Sequence, residues 1–433
     1  MKKHYAKPSK FQYLNGILAA MMLITLTITQ VSCKKSSDVE ATVPVSNAIK
    51  SDSISGFLKG TMLANKTYFV KGDIWVKSTD TLSIQPGVNV IVLGNPDATP
   101  PKIYTLHISG TLLCVGTKTS QITFKPVAAS PVWPKGYWGG IQCDSLSKVV
   151  KLVWTNISYT GGPDVSGGSQ FAFSVIGVAP TATNGNFTSS TKVVVENCSF
   201  LSGIDDCLRL MGPITVSIKG NVIQHQGSDD GDNINIKNGV TGDVAYNYIW
   251  SAANNSIKVN TNKTVLYPQS KINIYNNTII AGGWRKKGEP TAGILVDVFA
   301  QASVYNNLVI NCVNGIRITA SSDTTHIKGK YGYNLFYSVV DSTRATYYPA
   351  GDWGRAQAGD LLSTGLNSNN PMLVHLDTDV NASTDVNNPH LLTGSAAIGK
   401  AYQQAPYNTS VGTTMAPGKD IGAYQSDGSG NQR

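Results

Sequence analysis

Val193-Val194-Val195-Glu196-Asn197-Cys198-Ser199-Phe200 returns as Val216-Ser217-Ile218-Lys219-Gly220-Asn221-Val222-Ile223, and again as Val244-Ala245-Tyr246-Asn247-Tyr248-Ile249. Three more copies follow: Ile272-Asn273-Ile274-Tyr275-Asn276-Asn277-Thr278-Ile279, Val304-Tyr305-Asn306-Asn307-Leu308-Val309, and Gly332-Tyr333-Asn334-Leu335-Phe336. The asparagines aligned in this way are Asn197, Asn221, Asn247, Asn277, Asn307 and Asn334, at intervals of 24, 26, 30, 30 and 27 residues. A repeat of that length suits one coil of three short strands and three turns, stacked into a solenoid. Asn tolerates the left-handed turn conformation, and its amide can hydrogen-bond the copy one coil away. The asparagines therefore read as a structural ladder.

A second strand follows each rung: Leu208-Arg209-Leu210, Ile234-Asn235-Ile236, Ile257-Lys258-Val259, Ile294-Leu295-Val296 and Ile316-Arg317-Ile318. The two-residue period of a strand turns the flanking aliphatics inward and the middle residue outward. The expected outward row is Arg209, Asn235, Lys258, Leu295 and Arg317, with neighbours about 4.8 Å apart. Helical periodicity is nearly absent, so the chain reads as all-β.

Nearer the N-terminus stand Thr81-Leu82-Ser83-Ile84-Gln85-Pro86-Gly87-Val88, Ile108-Ser109-Gly110-Thr111-Leu112 and Trp138-Gly139-Gly140-Ile141. These phrases resemble the pectate-lyase-like class of right-handed parallel β-helix proteins, common among secreted and surface proteins of Bacteroidetes. Asp420-Ile421-Gly422-Ala423-Tyr424 is similar to the phrase that closes many of them. The resemblance implies a single right-handed parallel β-helix over residues 57–425, followed by a flexible tail at 426–433. Segments 160–190 and 340–415 lack the repeat and are expected to be loops or caps.

The first 16 residues carry Lys2, Lys3, Lys7 and Lys10 without an acid, and Ile17–Thr29 is apolar. This is a secretory signal, too short to span a bilayer as a helix. The following Gln30-Val31-Ser32-Cys33 resembles a bacterial lipoprotein signal, although Gln30 stands where such signals usually carry Leu. The resemblance implies a signal peptide at 1–32, lipidation of Cys33, a tether at 33–56 and anchoring to the outer membrane or cell surface. The other five cysteines, Cys114, Cys143, Cys198, Cys207 and Cys312, lack metal-site spacing and read as buried hydrophobes. The net charge is +9, or +5 without the four leader lysines. That balance suits an acidic ligand but not nucleic acid. A capped β-helix has no edge that requires a partner, so a monomer is expected.

The densest polar stretches are Gly203-Ile204-Asp205-Asp206-Cys207 and, one coil on, Gly227-Ser228-Asp229-Asp230-Gly231-Asp232-Asn233. Crowded carboxylates repel unless a cation compensates, and calcium takes six to eight oxygens. Solvated acidic turns are the plain alternative. The arrangement resembles the family-nine polysaccharide lyases. That resemblance implies calcium held by Asp206, Asp229, Asp230 and Asp232, with Lys258 as the base that abstracts the proton beside a uronate carboxyl. Asn233 departs from the pattern, which has Asp there. Arg317 would assist the base, while Arg209, Asn235, Trp284 and Arg285 would bind the acidic polysaccharide.

Two other readings stand beside the lyase. Asp205-Asp206 resembles the acid pair of polygalacturonases, without that family's Gly-His-Gly phrase. A non-catalytic glycan-binding or adhesive β-helix could use Trp133, Trp138, Trp284 or Trp353 for stacking. His225 reads as a turn histidine.

Overall fold

The computed structural model describes residues 47–177, 191–261, 268–409, 411 and 414–433. The expected signal peptide, Cys33 and most of the tether lie outside these residues. The chain is a right-handed parallel β-helix. Val/Ile/Leu-rich segments of three to five residues, broken by Gly and Asn, form strands that pair with the equivalent strand of the next coil. Among the described residues one face is a ten-stranded parallel sheet, and the other two faces join into one sheet because Thr67–Val76 runs on from one to the next.

The candidate site lies on the face formed by Leu106–Ile108, Ile141–Cys143, Phe173–Ile176, Leu208–Met211, Ile234–Lys237, Ile257–Asn260, Ile294–Val296 and Ile316–Ile318. Leu208, Leu210, Ile234, Ile236, Ile257, Val259, Ile294, Val296, Ile316 and Ile318 are all fully buried, as the alternation predicts. Each such side chain contributes about 1.5–3 kcal/mol relative to exposure, so stacking these rows supplies the stability that one coil lacks alone. The outward row pairs in register as Arg209, Asn235, Lys258, Leu295 and Arg317.

Three expectations about the coils change. The Asn ladder runs Asn221, Asn247, Asn277, Asn307, Asn334, with each Nδ2 donating to the next Oδ1 at 2.9–3.0 Å. Asn197 is not on it. Cys198 holds that position, and its backbone N–H donates to Asn221 Oδ1 at 2.8 Å. At the other end Asp360 accepts the Asn334 amide. The left-handed turn falls one residue earlier, at Asn197, Gly220, Tyr246, Asn276, Asn306 and Tyr333. One residue per coil makes the corner, and the next folds its amide inward onto the neighbouring coil.

Segment 160–190, expected to be loop, supplies the strand Phe173–Ile176, which pairs with Ile141–Cys143 and Leu208–Met211. The first strand, Ser53–Phe57, begins inside the expected tether.

Within 340–415, Leu361–Leu362 adds a strand beside Leu335–Tyr337 and Tyr347 packs on the core of the last coil, while the closing phrase lies along a face. Ile421, Ala423 and Tyr424 pack with Leu373 and Ala397 onto the outward side chains Tyr248, Leu308 and Leu335 of a second face. The Gly422 N–H donates to Asn306 O and the Ala423 N–H to Thr278 Oγ1. The expected free tail continues this strap: Asn431 Nδ2 donates to Tyr246 O, and Arg433 reaches Asn197 O and Asn156 Oδ1.

Candidate functional site

A second polar ladder borders the cationic row, and the predicted acids belong to it. Asp206 Oδ1 accepts the Asp232 N–H at 2.7 Å. Asp232 Oδ1 accepts the Asn255 N–H at 2.9 Å and Asn255 Nδ2 at 2.9 Å. Asn255 Oδ1 accepts the Ala292 N–H. These residues turn the chain onto the site face, as the Asn ladder turns it elsewhere.

An Asp at such a position does what an Asn cannot: its second oxygen is also an acceptor. Asp206 Oδ2 takes Arg209 Nη1 at 2.8 Å and Asn235 Nδ2 at 2.8 Å. Asp232 Oδ2 lies 3.7 Å from Lys258 Nζ. The turn therefore fixes the heads of three residues of the outward row. Burial, with Asp206 next to it, holds the Asp232 carboxyl above the usual range, and Lys258 works against this. Burial and Asp206 push Asp205 up to about 6.

Lys237, at the next outward position of the Asn235 strand, had drawn no attention in the sequence. It forms no ion pair among the described residues, which pair Arg209 and Lys258 instead. Burial lowers its pKa, and the charges of Arg209 and Lys258 lower it further. The signal that would have found it was its spacing: two residues past Asn235, it must share the outward side.

The other predicted residues go elsewhere. Asp229 is exposed and accepts from Ser228. Asp230 pairs with Lys286 at 2.6 Å. Burial acts to raise its carboxyl, but the bonds from Lys286 and the Gly231 N–H prevail and hold it below its ordinary range. Arg317 is held by Asp352 through two nitrogens, at 2.8 and 3.1 Å, and is separated from Lys258 by Leu295. Arg285 spends its donors on the carbonyls of Gln226, Gly227 and Ser251, and lies over the Trp133 ring. Trp284 Nε1 donates to Asn311 O, and the side chain packs against the apolar cluster that includes Ile280 and Ile310. His225 lies between Trp133 and Trp250, and burial followed by Arg285 drives it down to about 4.

The four acids proposed as calcium ligands do not fit that ion. Among the described residues no three of His, Cys, Asp and Glu gather as a metal-holding group. Asp206 and Asp232 are committed to the ladder and to Arg209, Asn235 and Lys258, while Asp230 is committed to Lys286. The same commitments remove Asp206 from the hydrolase-like pair. Asn233, where the lyase pattern has Asp, is fully buried with both polar side-chain atoms unpartnered.

What remains is a surface of Arg209, Lys237 and Lys258 on three consecutive rungs, two of them pinned by buried carboxylates. Residues 179–330, which carry this surface, match the family model of the right handed beta helix region. No curated protein and no solved structure matches the chain.

Proposed function

We propose that this is an exported, lipid-anchored surface protein that binds an acidic polysaccharide across Arg209, Lys237 and Lys258. The observation that carries the reading is the placement of these cations on the strands Leu208–Met211, Ile234–Lys237 and Ile257–Asn260, which pair in register. Neighbouring rungs stand about 4.8 Å apart, so the charges form a track along the helix axis. A polyanion would meet them in succession. Arg209 offers a planar fork to a carboxylate or sulfate, while the two lysines act as point charges.

The test is titration with pectate, alginate and chondroitin sulfate, using a neutral glucan as control. Binding to an acidic polymer that weakens steeply with salt, and is reduced at least tenfold in Arg209→Ala/Lys237→Ala, supports the reading. Equal binding to the neutral glucan overturns it.

A second reading is favoured by the place of Lys237 on the strand between those of Arg209 and Lys258, where burial and these two cations lower its pKa against the pull of Asp206 and Asp232. A lysine that loses its proton more readily is suited to take the hydrogen beside a uronate carboxyl. The carbon–oxygen bond one position further would then break, the electron pair leaving with the sugar oxygen. Arg209 and Lys258 would balance the charge gathering on the carboxyl. The check is growth of ultraviolet absorbance from an unsaturated uronate in the absence of calcium. A polymer that binds without any such growth, in wild type as in Lys237→Ala, leaves binding as the function.

A further inference from the structure

The outward row does not begin at Arg209. Followed toward the N-terminus it runs through Ser174, Gln142, His107 and Trp75 to Phe57, each paired in register with the next. The cationic track and this extension therefore lie on one line of one face.

The far end of the line is aromatic and open. Phe57 is 71% exposed and Trp75 43% exposed. The Trp75 and His107 rings stack at 3.9 Å between centroids with 13° between planes. Lys77 Nζ stands 4.2 Å from the Phe57 ring centroid, which places an ammonium on the same platform. Asp73, 4.0 Å from His107 Nε2, is the carboxylate beside it. A single exposed aromatic needs no explanation. Three successive positions of one row, two of them stacked, form a flat apolar surface of the kind that covers sugar rings. The floor between the platform and Arg209 is low and polar: Gln142 donates to the carbonyls of Gly139 and Phe171, and Ser174 donates to Gln142. At the cationic end the Phe171 ring lies under Arg209 at 4.6 Å.

We propose that Phe57, Trp75 and His107 form a second subsite for the same acidic polysaccharide, in which pyranose rings stack on the aromatic platform while the distal carboxylates meet Arg209, Lys237 and Lys258. The inference rests on the reading of the cationic face given above. It adds that the glycan lies along the helix axis, and that only chains covering the seven rungs from Trp75 to Lys258, six steps or about 29 Å, engage both parts. Two linked subsites multiply affinity without either becoming stronger.

The experiment uses pectate, alginate and chondroitin sulfate, each as polymer and as short fragments, with wild type, Trp75→Ala/His107→Ala and Arg209→Ala/Lys258→Ala. Circular dichroism checks folding, which the exposure of Trp75 should spare. The platform variant is expected to lose about tenfold in affinity for the polymer and nothing for short fragments, whereas the cation variant loses both. Polymer binding unchanged in the platform variant but lost in the cation variant overturns the second subsite and leaves the cationic reading intact. Binding unchanged in both variants, or no binding to any of the three polymers, overturns both. A wild type that is dimeric by light scattering, with a monomeric platform variant, makes the platform a self-association surface and overturns the proposal.

Discussion

Asp206 accepts the backbone N–H of Asp232, one coil away, at 2.7 Å. Its other oxygen holds Arg209 and Asn235, so one buried carboxylate both stacks two coils and aims the surface. The two roles separate by substitution. Asp206→Ala leaves an unsatisfied amide and an unpaired arginine, and should cost about 3 kcal/mol in denaturant unfolding. Asp206→Asn keeps the ladder acceptor but removes the charge facing Arg209. It should unfold within about 1–2 kcal/mol of wild type while binding acidic polymer differently. Equal losses of stability in the two variants would show that the ladder bond is not what Asp206 contributes.

The Asn ladder gives a sharper stability prediction. Asn277 Nδ2 donates to Val244 O and Asn307 Oδ1, and its Oδ1 accepts from the N–H and the Nδ2 of Asn247. Asn277→Ala strands several buried groups at once, each worth about 1–3 kcal/mol when unpaired. A drop of about 3–4 kcal/mol is expected, against less than about 1 kcal/mol for the exposed Asp229→Ala. Chemical denaturation of the two variants makes the comparison.

Titration should report on Asp205. Its carboxyl is raised to about 6 by burial and by Asp206, above the unfolded value near 4. The folded state therefore holds the proton more tightly, and the associated stability is present at pH 4 and lost as the pH rises through about 6. Asp205→Asn should stabilise the protein at pH 7 by about 1–2 kcal/mol after screening by solvent, and by almost nothing at pH 4. Melting curves at the two pH values decide it, and a gain at pH 4 larger than at pH 7 would reverse the sign.

Much of this was legible in the sequence because it follows from period. The inward aliphatics, the outward row from Arg209 to Arg317 and the stacking of coils all come from a strand's two-residue alternation repeated at each turn. What was not legible comes from single-residue register and from partners distant in sequence. Asn197 and Asn221 look equivalent, yet the ladder position is Cys198, because that coil is one residue shorter than the alignment assumed. Asp206 and Asp230 look alike in composition. One faces the next coil's backbone and the other meets Lys286, 56 residues on. Arg317 looks free until Asp352, 35 residues later, takes both its nitrogens.

Those commitments predict the response to metal. Chelation should leave polysaccharide binding unchanged, because three of the four acids expected to share calcium are turned to Arg209, Lys258 and Lys286 and the fourth, Asp229, is exposed. Titrations in chelator and in added calcium should superimpose. A severalfold gain with calcium would mean that the ion pulls these carboxylates from their present partners.

The C-terminal strap supplies the last test. Asn431 Nδ2 donates to the carbonyls of Asn221 and Tyr246, and Arg433 bonds Asn197 O while lying 5.3 Å from the Trp154 ring centroid. These contacts run over four consecutive coils, so the last residues act as a clasp over corners that the ladders stabilise from within. Removing residues 430–433 should lower stability by about 1–3 kcal/mol through the bonds lost at Tyr246 O and Asn197 O, while Asn221 O keeps the Tyr248 N–H. It should also raise amide exchange around Asn221 and Tyr246 more than at Asn307, whose N–H has the same ladder bond as that of Asn221 but whose coil residues 430–433 do not bond. Exchange that rises uniformly along the helix would mean that the strap stabilises the fold as a whole and not the coils it touches.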